Sequence, residues 1–296
     1  SGIAGRVNLA TLYLSEGALN NAEELLAQAV EISEYDPHAN LALARLHRER
    51  ARSSVPYNNG EADQAINRIR RALQGDPNNP VAYELLSGVY FDLGRLELAR
   101  LVCENAIEIG VDSAPLYNQL GLILLRMDDV TGAYAGFRLA VEMDPRLFEA
   151  AMNQGAIALN YRDYRAALES FDLVLAVRPS WDEALISRGV ALRGLEDYEG
   201  ATQSYLQALE VNPENGSSMY NLGILYQEYT REYETAISWF ERYMETDGAS
   251  DSSRHDEVSE RISALQELLA YLQGLTPQSQ QPEAEESDDG GGTINE

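Results

Sequence analysis

The chain has 296 residues, of which 45% are apolar and 8% aromatic, enough to form a folded core. Its 48 acidic and 22 basic residues give a formal net charge of −26, and every basic residue is arginine. A surface this negative repels phosphate, which argues against nucleic-acid binding, and the absence of lysine excludes Schiff-base catalysis and a Walker-type phosphate loop.

A period of 34 residues runs along the chain. Glycine recurs at this step, at Gly121, Gly155, Gly189 and Gly223. Proline and alanine follow the same step, at Pro145, Pro179 and Pro213 and at Ala133, Ala167 and Ala201. Three residue types that share one period indicate internal repeats.

Each repeat has the pattern of two helices. In residues 114–147, apolar and small residues recur at helix spacing in two stretches, Leu120, Gly121, Leu124 and then Ala133, Phe137, Ala140. The polar pair Asp128-Asp129 between them predicts a turn, and Pro145 ends the second helix. We expect antiparallel helices that cross closely at the small residues, with one large side chain filling the space between them: Phe137, Phe171, Tyr205 or Phe240.

This pattern resembles the tetratricopeptide repeat (TPR) family. The segment YNQLGLILLRMDDVTGAYAGFRLAVEMDP (117–145) carries that family's Leu-Gly, Ala, Phe, Ala and Pro in register. The resemblance implies an all-α fold, an α-α superhelix or solenoid of seven helix-turn-helix repeats with a C-terminal capping helix. In chain order we expect the repeats at 3–36, 37–79, 80–113, 114–147, 148–181, 182–215 and 216–250.

Two repeats depart from the 34-residue length. The second contains about nine extra residues near 52–60, whose Ser, Pro, Asn and Gly content predicts a loop. The seventh has one extra residue between Gly223 and Ala236. After the solenoid at 3–250, an apolar stripe on 251–274 predicts the capping helix. Residues 275–296 are rich in acid and contain no base, which predicts a disordered tail.

The sequence contains no catalytic signature. Nucleophile-elbow, metalloprotease, Walker, Rossmann and EF-hand patterns are all absent. The three histidines, His38, His47 and His255, are too far apart for a local ligand pair, and the single cysteine, Cys103, is expected in the core. No apolar run approaches the roughly 18 residues that span a bilayer. We therefore predict a non-enzymatic protein without catalytic or metal-binding residues, cofactor or direct membrane insertion.

A solenoid of this kind has a concave face lined by the first helix of each pair, which predicts a groove for a protein or peptide partner. The residue before the Leu-Gly step faces this groove, and the resemblance implies that amides there hold the backbone of an extended segment. The predicted partner-binding residues are Asn8, Gln119, Asn153, Asn221, Met152, Tyr220, Arg45, Arg126 and Arg193. The row of amides is interrupted at Ala42, Leu85 and Ser187.

Other interpretations of the groove stay open. Its residues could simply cover neighbouring helices, or the chain's own tail or capping helix could fill it. Chaperone-binding members of the family hold C-terminal carboxylates with a basic clamp. That clamp has no counterpart here, because the matching positions hold Val7, Thr11, Ala42, Val81 and Leu85.

A second hypothesis follows from a weaker resemblance. The segment MYNLGILYQEY and the charged capping helix are similar to envelope TPR lipoproteins of bacterial pilus, secretion and gliding-motility machines. This implies a structural subunit of a multi-protein assembly in the periplasm or at the outer membrane. Contacts would then use the convex face, the insertion or the ends of the array. Those lipoproteins carry an N-terminal lipidated cysteine, whereas the cysteine here is Cys103.

Overall fold

The computed structural model describes residues 2–246 and 252–275, and this part of the chain is helical with no strand. The helices are α1 Ile3–Ser15, α2 Leu19–Ile32, α3 Pro37–Ser53, α4 Asn59–Gly75, α5 Pro80–Asp92, α6 Leu96–Glu108, α7 Ala114–Arg126, α8 Val130–Met143, α9 Phe148–Asn160, α10 Tyr164–Val177, α11 Asp182–Gly194, α12 Tyr198–Val211, α13 Gly216–Ile224, a π-helical turn Leu225–Thr230, α14 Tyr233–Met244 and α15 Ser252–Leu275. The predicted acidic tail lies outside the described residues, apart from Leu275.

Consecutive helices pack in pairs, from α1 with α2 to α13 with α14, and α15 packs on α14. This confirms the predicted all-α fold of seven helix pairs followed by a further helix. The chain divides into two compact units, Ser1–Val211 with α1 to α12 and Asn212–Glu296 with α13 to α15.

The helices of a pair cross at a small residue, as predicted. An ideal Cβ built on Gly155 would lie 2.7 Å from Cε1 of Phe171, which is closer than real Cβ contacts, so this crossing requires glycine. At the corresponding positions of all seven pairs, the first helix holds the smaller residue and the second helix the larger one. They are Ala10–Leu26, Ala44–Ile69, Ser87–Cys103, Gly121–Phe137, Gly155–Phe171, Gly189–Tyr205 and Gly223–Phe240. Every second-helix member of the set is fully buried.

The insertion in the second repeat was predicted as a loop over 52–60, and the structure corrects this. Relative to the other pairs, four of the nine extra residues lengthen α3, three lengthen α4, and only two lengthen the connection at 54–58. Asn58 caps α4 by accepting hydrogen bonds from the amides of Gly60 and Glu61, which draws both residues into the helix. The pair α3–α4 therefore extends by about one turn, roughly 5 Å, beyond its neighbours.

The extra residue of the seventh repeat is accommodated in the second unit. It falls in the π-helical turn Leu225–Thr230, a wider helical turn that takes one more residue than an α-helical one. Arg231 then reverses the chain with φ of 60°.

The turn inside most pairs contains a left-handed residue. Gly17 and Gly94 hold this place in two pairs, but Asp128, Arg162 and Glu196 hold it in later ones with φ of 60–65°. A left-handed conformation costs a residue with a Cβ about 1 kcal/mol. We expect Arg162→Gly to raise the free energy of unfolding by about 0.5–1 kcal/mol, measured by urea denaturation.

The matched control for that substitution is Glu169→Gly, which places glycine inside α10 at an exposed position. It should lower the free energy of unfolding by about 1 kcal/mol. Destabilisation by both substitutions would contradict the account of the turn.

Cys103 lies in the core, as predicted. Burial raises the pKa of its thiol to about 11, although a hydrogen bond with Ser87 partly offsets this. We expect Ellman's reagent at pH 8 to leave the folded protein unmodified and to label it fully in denaturant, because the reactive species is the thiolate. A Ser180→Cys variant, with the new thiol at an exposed position, should react at once. Rapid labelling of the folded wild type would show that the crossing of α5 and α6 is not closed.

Candidate functional site

A pocket of about 230 Å³ lies across the first helices of the first three pairs. Its walls come from α1, α3 and the start of α5, and its lining residues are Val7, Thr11, His38, Leu41, Ala42, Arg45, Asn79 and Val81. We call this the groove pocket. Four of the eight lining residues are apolar and four are polar or charged, so the pocket has a mixed lining.

A second pocket, of about 410 Å³, adjoins the groove pocket and shares Val7 and His38 with it. It adds Asn8 on α1 and Asp36 at the start of α3. Asn8 is exposed, and Asp36 is occupied as a cap because its Oδ1 accepts a hydrogen bond from the amide of Ala39. The predicted residues Asn8 and Arg45 are therefore brought onto one continuous surface.

Arg45 is the cation of the groove pocket. It is exposed, and it makes no hydrogen bond or salt bridge to any described residue. An acidic side chain that interacts electrostatically with Arg45 is Glu84 on α5, whose carboxyl is largely buried. Burial raises the pKa of Glu84, and the charges of Arg45 and Arg48 lower it in part. The pocket thus combines apolar side chains with polar ones and with one guanidinium group whose donors are not satisfied by the protein.

An ion pair beside the pocket was not predicted. Nε of Arg48 donates to Oδ2 of Asp92 over 2.6 Å, and the two side chains are 24% and 12% exposed. Arg48 lies flat on Gly88, where an ideal Cβ would come within 2.7 Å of its Nη1. Arg52 approaches the same carboxylate at 4.0 Å. The pair joins the lengthened α3 to α5.

The other predicted residues of the first unit lie on α7, α9 and α11. Nδ2 of Asn153 faces Oδ1 of Asn118 at 3.5 Å, a long hydrogen bond between neighbouring first helices. Gln119 is half-buried, Arg126 is exposed at the end of α7, and Arg193 is half-buried at the end of α11. Met152 packs against two core clusters, so it belongs in part to the interior. Asn118 was missed because it lies one residue before the predicted amide position.

The second unit contains two predicted residues, and one needs correction. The hydroxyl of Tyr220 donates to Oε1 of Glu257 on α15 at 3.0 Å, and Arg254 lies over its ring. The C-terminal helix therefore occupies Tyr220, which was predicted to bind a partner. Nδ2 of Asn221 donates to the carbonyl of Ser217 on its own helix. Arg261 of α15 also donates to Gln227 and Glu228, so this helix contacts both α13 and the π-helical turn that follows it.

Parts of the chain match models of a known repeat family. Three tetratricopeptide repeat models match the chain, at residues 4–36, 58–121 and 189–228. The helix pairs of the structure have the packing of such repeats. The chain contains tetratricopeptide repeats. Proteins of this family are in general non-enzymatic scaffolds that bind protein partners.

Several solved TPR structures share the fold. The pilF protein of Pseudomonas aeruginosa is 21% identical, with 78% of this chain and 97% of that chain covered and a TM-score of 0.58. YrrB, described as a TPR protein with an unusual peptide-binding site, is 22% identical, with 66% and 96% covered and a TM-score of 0.50. The Cut9–Hcn1 complex of the APC/C is 13% identical, with 90% and 53% covered and a TM-score of 0.55. At these identities the likeness concerns the fold alone.

Curated relatives match a shorter region. RNA polymerase II-associated protein 3 of Xenopus tropicalis is 28% identical over 102 residues, which are 34% of this chain and 16% of that protein. The human protein of the same name is 24% identical over 131 residues, 44% of this chain and 19% of that protein. The matches thus span less than a fifth of the length of these relatives.

None of the described helices is both long and apolar enough to cross a membrane. Among the described residues, His, Cys, Asp and Glu side chains form no group of three that could hold a metal ion.

Proposed function

We propose that the protein is a non-enzymatic scaffold that binds an extended or helical segment of a partner protein along its first helices, with the groove pocket as the principal contact. One observation supports this proposal, namely that the first helices of three successive pairs contribute to one pocket of mixed apolar and polar lining, with an unpaired arginine in it.

The chemistry of the pocket specifies the kind of segment. Val7, Leu41 and Val81 offer an apolar surface for one aliphatic or aromatic side chain. Arg45 can donate two parallel hydrogen bonds to a carboxylate. A partner segment with an apolar residue close to an acidic residue satisfies both features. Because buried apolar contact supplies most of the affinity in such grooves, the arginine mainly selects among segments.

Selection from a random peptide library on the full-length protein tests this function. We expect enriched peptides to combine an apolar with an acidic residue, and Arg45→Ala to weaken their binding at least tenfold by fluorescence titration. Arg138→Ala is the matched control, since Arg138 is an exposed arginine on the second helix α8, and it should change affinity less than twofold. Equal affinity of both variants would contradict the proposal.

A second candidate function is a structural subunit of a bacterial envelope assembly. The extended pair α3–α4 favours it, because Val55 at its tip is 99% exposed beside the exposed Pro56. An exposed apolar tip on a helix pair that is longer than its neighbours fits a contact with another subunit. In that case Val55→Ser should disrupt assembly while peptide binding in the groove pocket persists.

A further inference from the structure

A separate pocket, of about 400 Å³, lies on α4, the second helix of the second pair. It shares no residue with the groove pocket. Three arginines line it, Arg68, Arg70 and Arg71, together with the amides of Gln64, Asn67 and Gln74 and the loop residues Glu34 and Tyr35. We call it the α4 arginine pocket.

Arg68 and Arg71 are three positions apart and share one side of α4, away from its buried face, whereas Arg70 projects from a different side of the helix. Ile66 and Ile69 are among the buried residues that hold α4 in the fold. Gln64, Asn67, Arg68, Arg71 and Gln74 follow the spacing of one helical face, so their donors point to the same side. The helix thus presents guanidinium and amide donors together.

The positive charge of the pocket is poorly neutralised by the protein. Arg71 meets its one carboxylate neighbour, Glu34, at 3.7 Å, and both side chains are about half exposed. Glu23, which influences Arg68 from a distance, is engaged by Arg50 at 2.8 Å. Arg68 and Arg70 make no hydrogen bond or salt bridge to any described residue. Burial, and next the charge of Arg71, lower the pKa of Arg68, so the fold holds two like charges together.

This arrangement contrasts with the rest of the chain. Residues 37–75 contain seven arginines and three acidic residues, a net charge of +4 in a chain of −26. Four of these arginines lie on α3, where Arg48 and Arg50 pair with Asp92 and Glu23, and the other three line the α4 arginine pocket. Several arginines of other repeats pair closely with carboxylates, as Arg100 does with Glu97 and Glu104 and Arg188 with Asp172.

We propose that the α4 arginine pocket binds a phosphate group. Guanidinium forks match the oxygens of a phosphate in pairs, and amide side chains supply further donors. Three arginines against one carboxylate leave two positive charges, which a phosphate monoester of about −1.5 to −2 neutralises and a single carboxylate does not. The volume also admits the group that carries the phosphate, either a phosphorylated side chain of a protein or a small phosphate ester. This proposal does not depend on the groove.

Calorimetric titration of the full-length protein tests the site. The probes are inorganic phosphate, a phosphoserine peptide and its unphosphorylated twin, all at matched ionic strength in sodium chloride. We expect both phosphate-bearing probes to bind and to compete, and the unphosphorylated peptide to give no signal. Tighter binding of the phosphopeptide than of inorganic phosphate identifies a protein source, and equal binding identifies a small phosphate ester.

Variants locate the site. The double substitution Arg68→Gln/Arg71→Gln should weaken phosphate binding at least tenfold, because it removes the paired donors while keeping polar side chains. The control Arg138→Gln/Arg165→Gln removes two exposed arginines from α8 and α10 and should leave binding within twofold. Circular dichroism melting verifies that each variant is folded. No binding of either phosphate probe, or equal binding by the two double variants, would overturn the proposal.

Discussion

Shortening Phe171 to alanine is expected to lower the free energy of unfolding by about 3–5 kcal/mol, because its ring is fully buried between two helices and leaves a cavity behind. Urea denaturation followed by circular dichroism measures the loss. Tyr161→Ala, which removes an aromatic ring that is 67% exposed, is the matched control and should cost less than about 0.5 kcal/mol. Similar losses in both variants would show that Phe171 is not the packing centre of its pair.

The crossing also predicts that its two residues are coupled. Gly155→Ala alone should destabilise by about 1–3 kcal/mol, because the new methyl group collides with the ring of Phe171. Combined with Phe171→Leu, it recreates the Ala10–Leu26 pair of the first repeat, so the double variant should recover at least 1 kcal/mol relative to the sum of the single changes. Strict additivity would contradict the complementary packing seen in all seven pairs.

Removal of the ion pair beside the groove is the second large effect. Asp92→Asn should destabilise by about 2–4 kcal/mol, because Arg48 is largely enclosed and loses its compensating charge. The control is Glu104→Gln, which breaks a pair of similar length, 2.7 Å, whose carboxylate is 44% exposed. That change should cost less than about 0.5 kcal/mol. If the two losses were equal, Asp92 would behave as an ordinary surface acid.

Much of the fold could be predicted because the same residue types recur at equivalent positions of successive repeats. A single glycine such as Gly155 does not indicate a helix crossing. Its recurrence in successive repeats, each time opposite a large residue equivalent to Phe171, does. Helix pairs, turns and buried large residues followed from that recurrence. The insertion was the exception, since residues 53–60 have the composition of a loop while the caps at their edges extend both helices. Composition alone does not locate a helix end to within a turn.

The candidate site was less predictable. Arg45 and Asn8 follow from their register on the first helices, and both line the pockets. The pairing of Arg48 with Asp92 depends on how the lengthened α3 lies against α5, which no local pattern encodes. The contact between the hydroxyl of Tyr220 and α15 is likewise long-range, so the sequence pattern did not reveal it and Tyr220 was assigned to a partner. The sequence did contain a signal for the α4 arginine pocket, namely the excess of basic residues in 37–75. The strongly negative net charge of the whole chain does not show this local excess.

Site-specific photo-crosslinking in an extract of the source cell tests the central claim most directly. A photoreactive residue is placed in the full-length protein at Thr11 in the groove pocket, at Val55 on the tip of α3–α4, or at Leu101, an exposed second-helix position that serves as the control. We predict that one protein crosslinks at Thr11 and is absent at Leu101, and that Arg45→Ala reduces its yield. Crosslinking of a protein at Val55 with none at Thr11 would contradict the groove as the binding site.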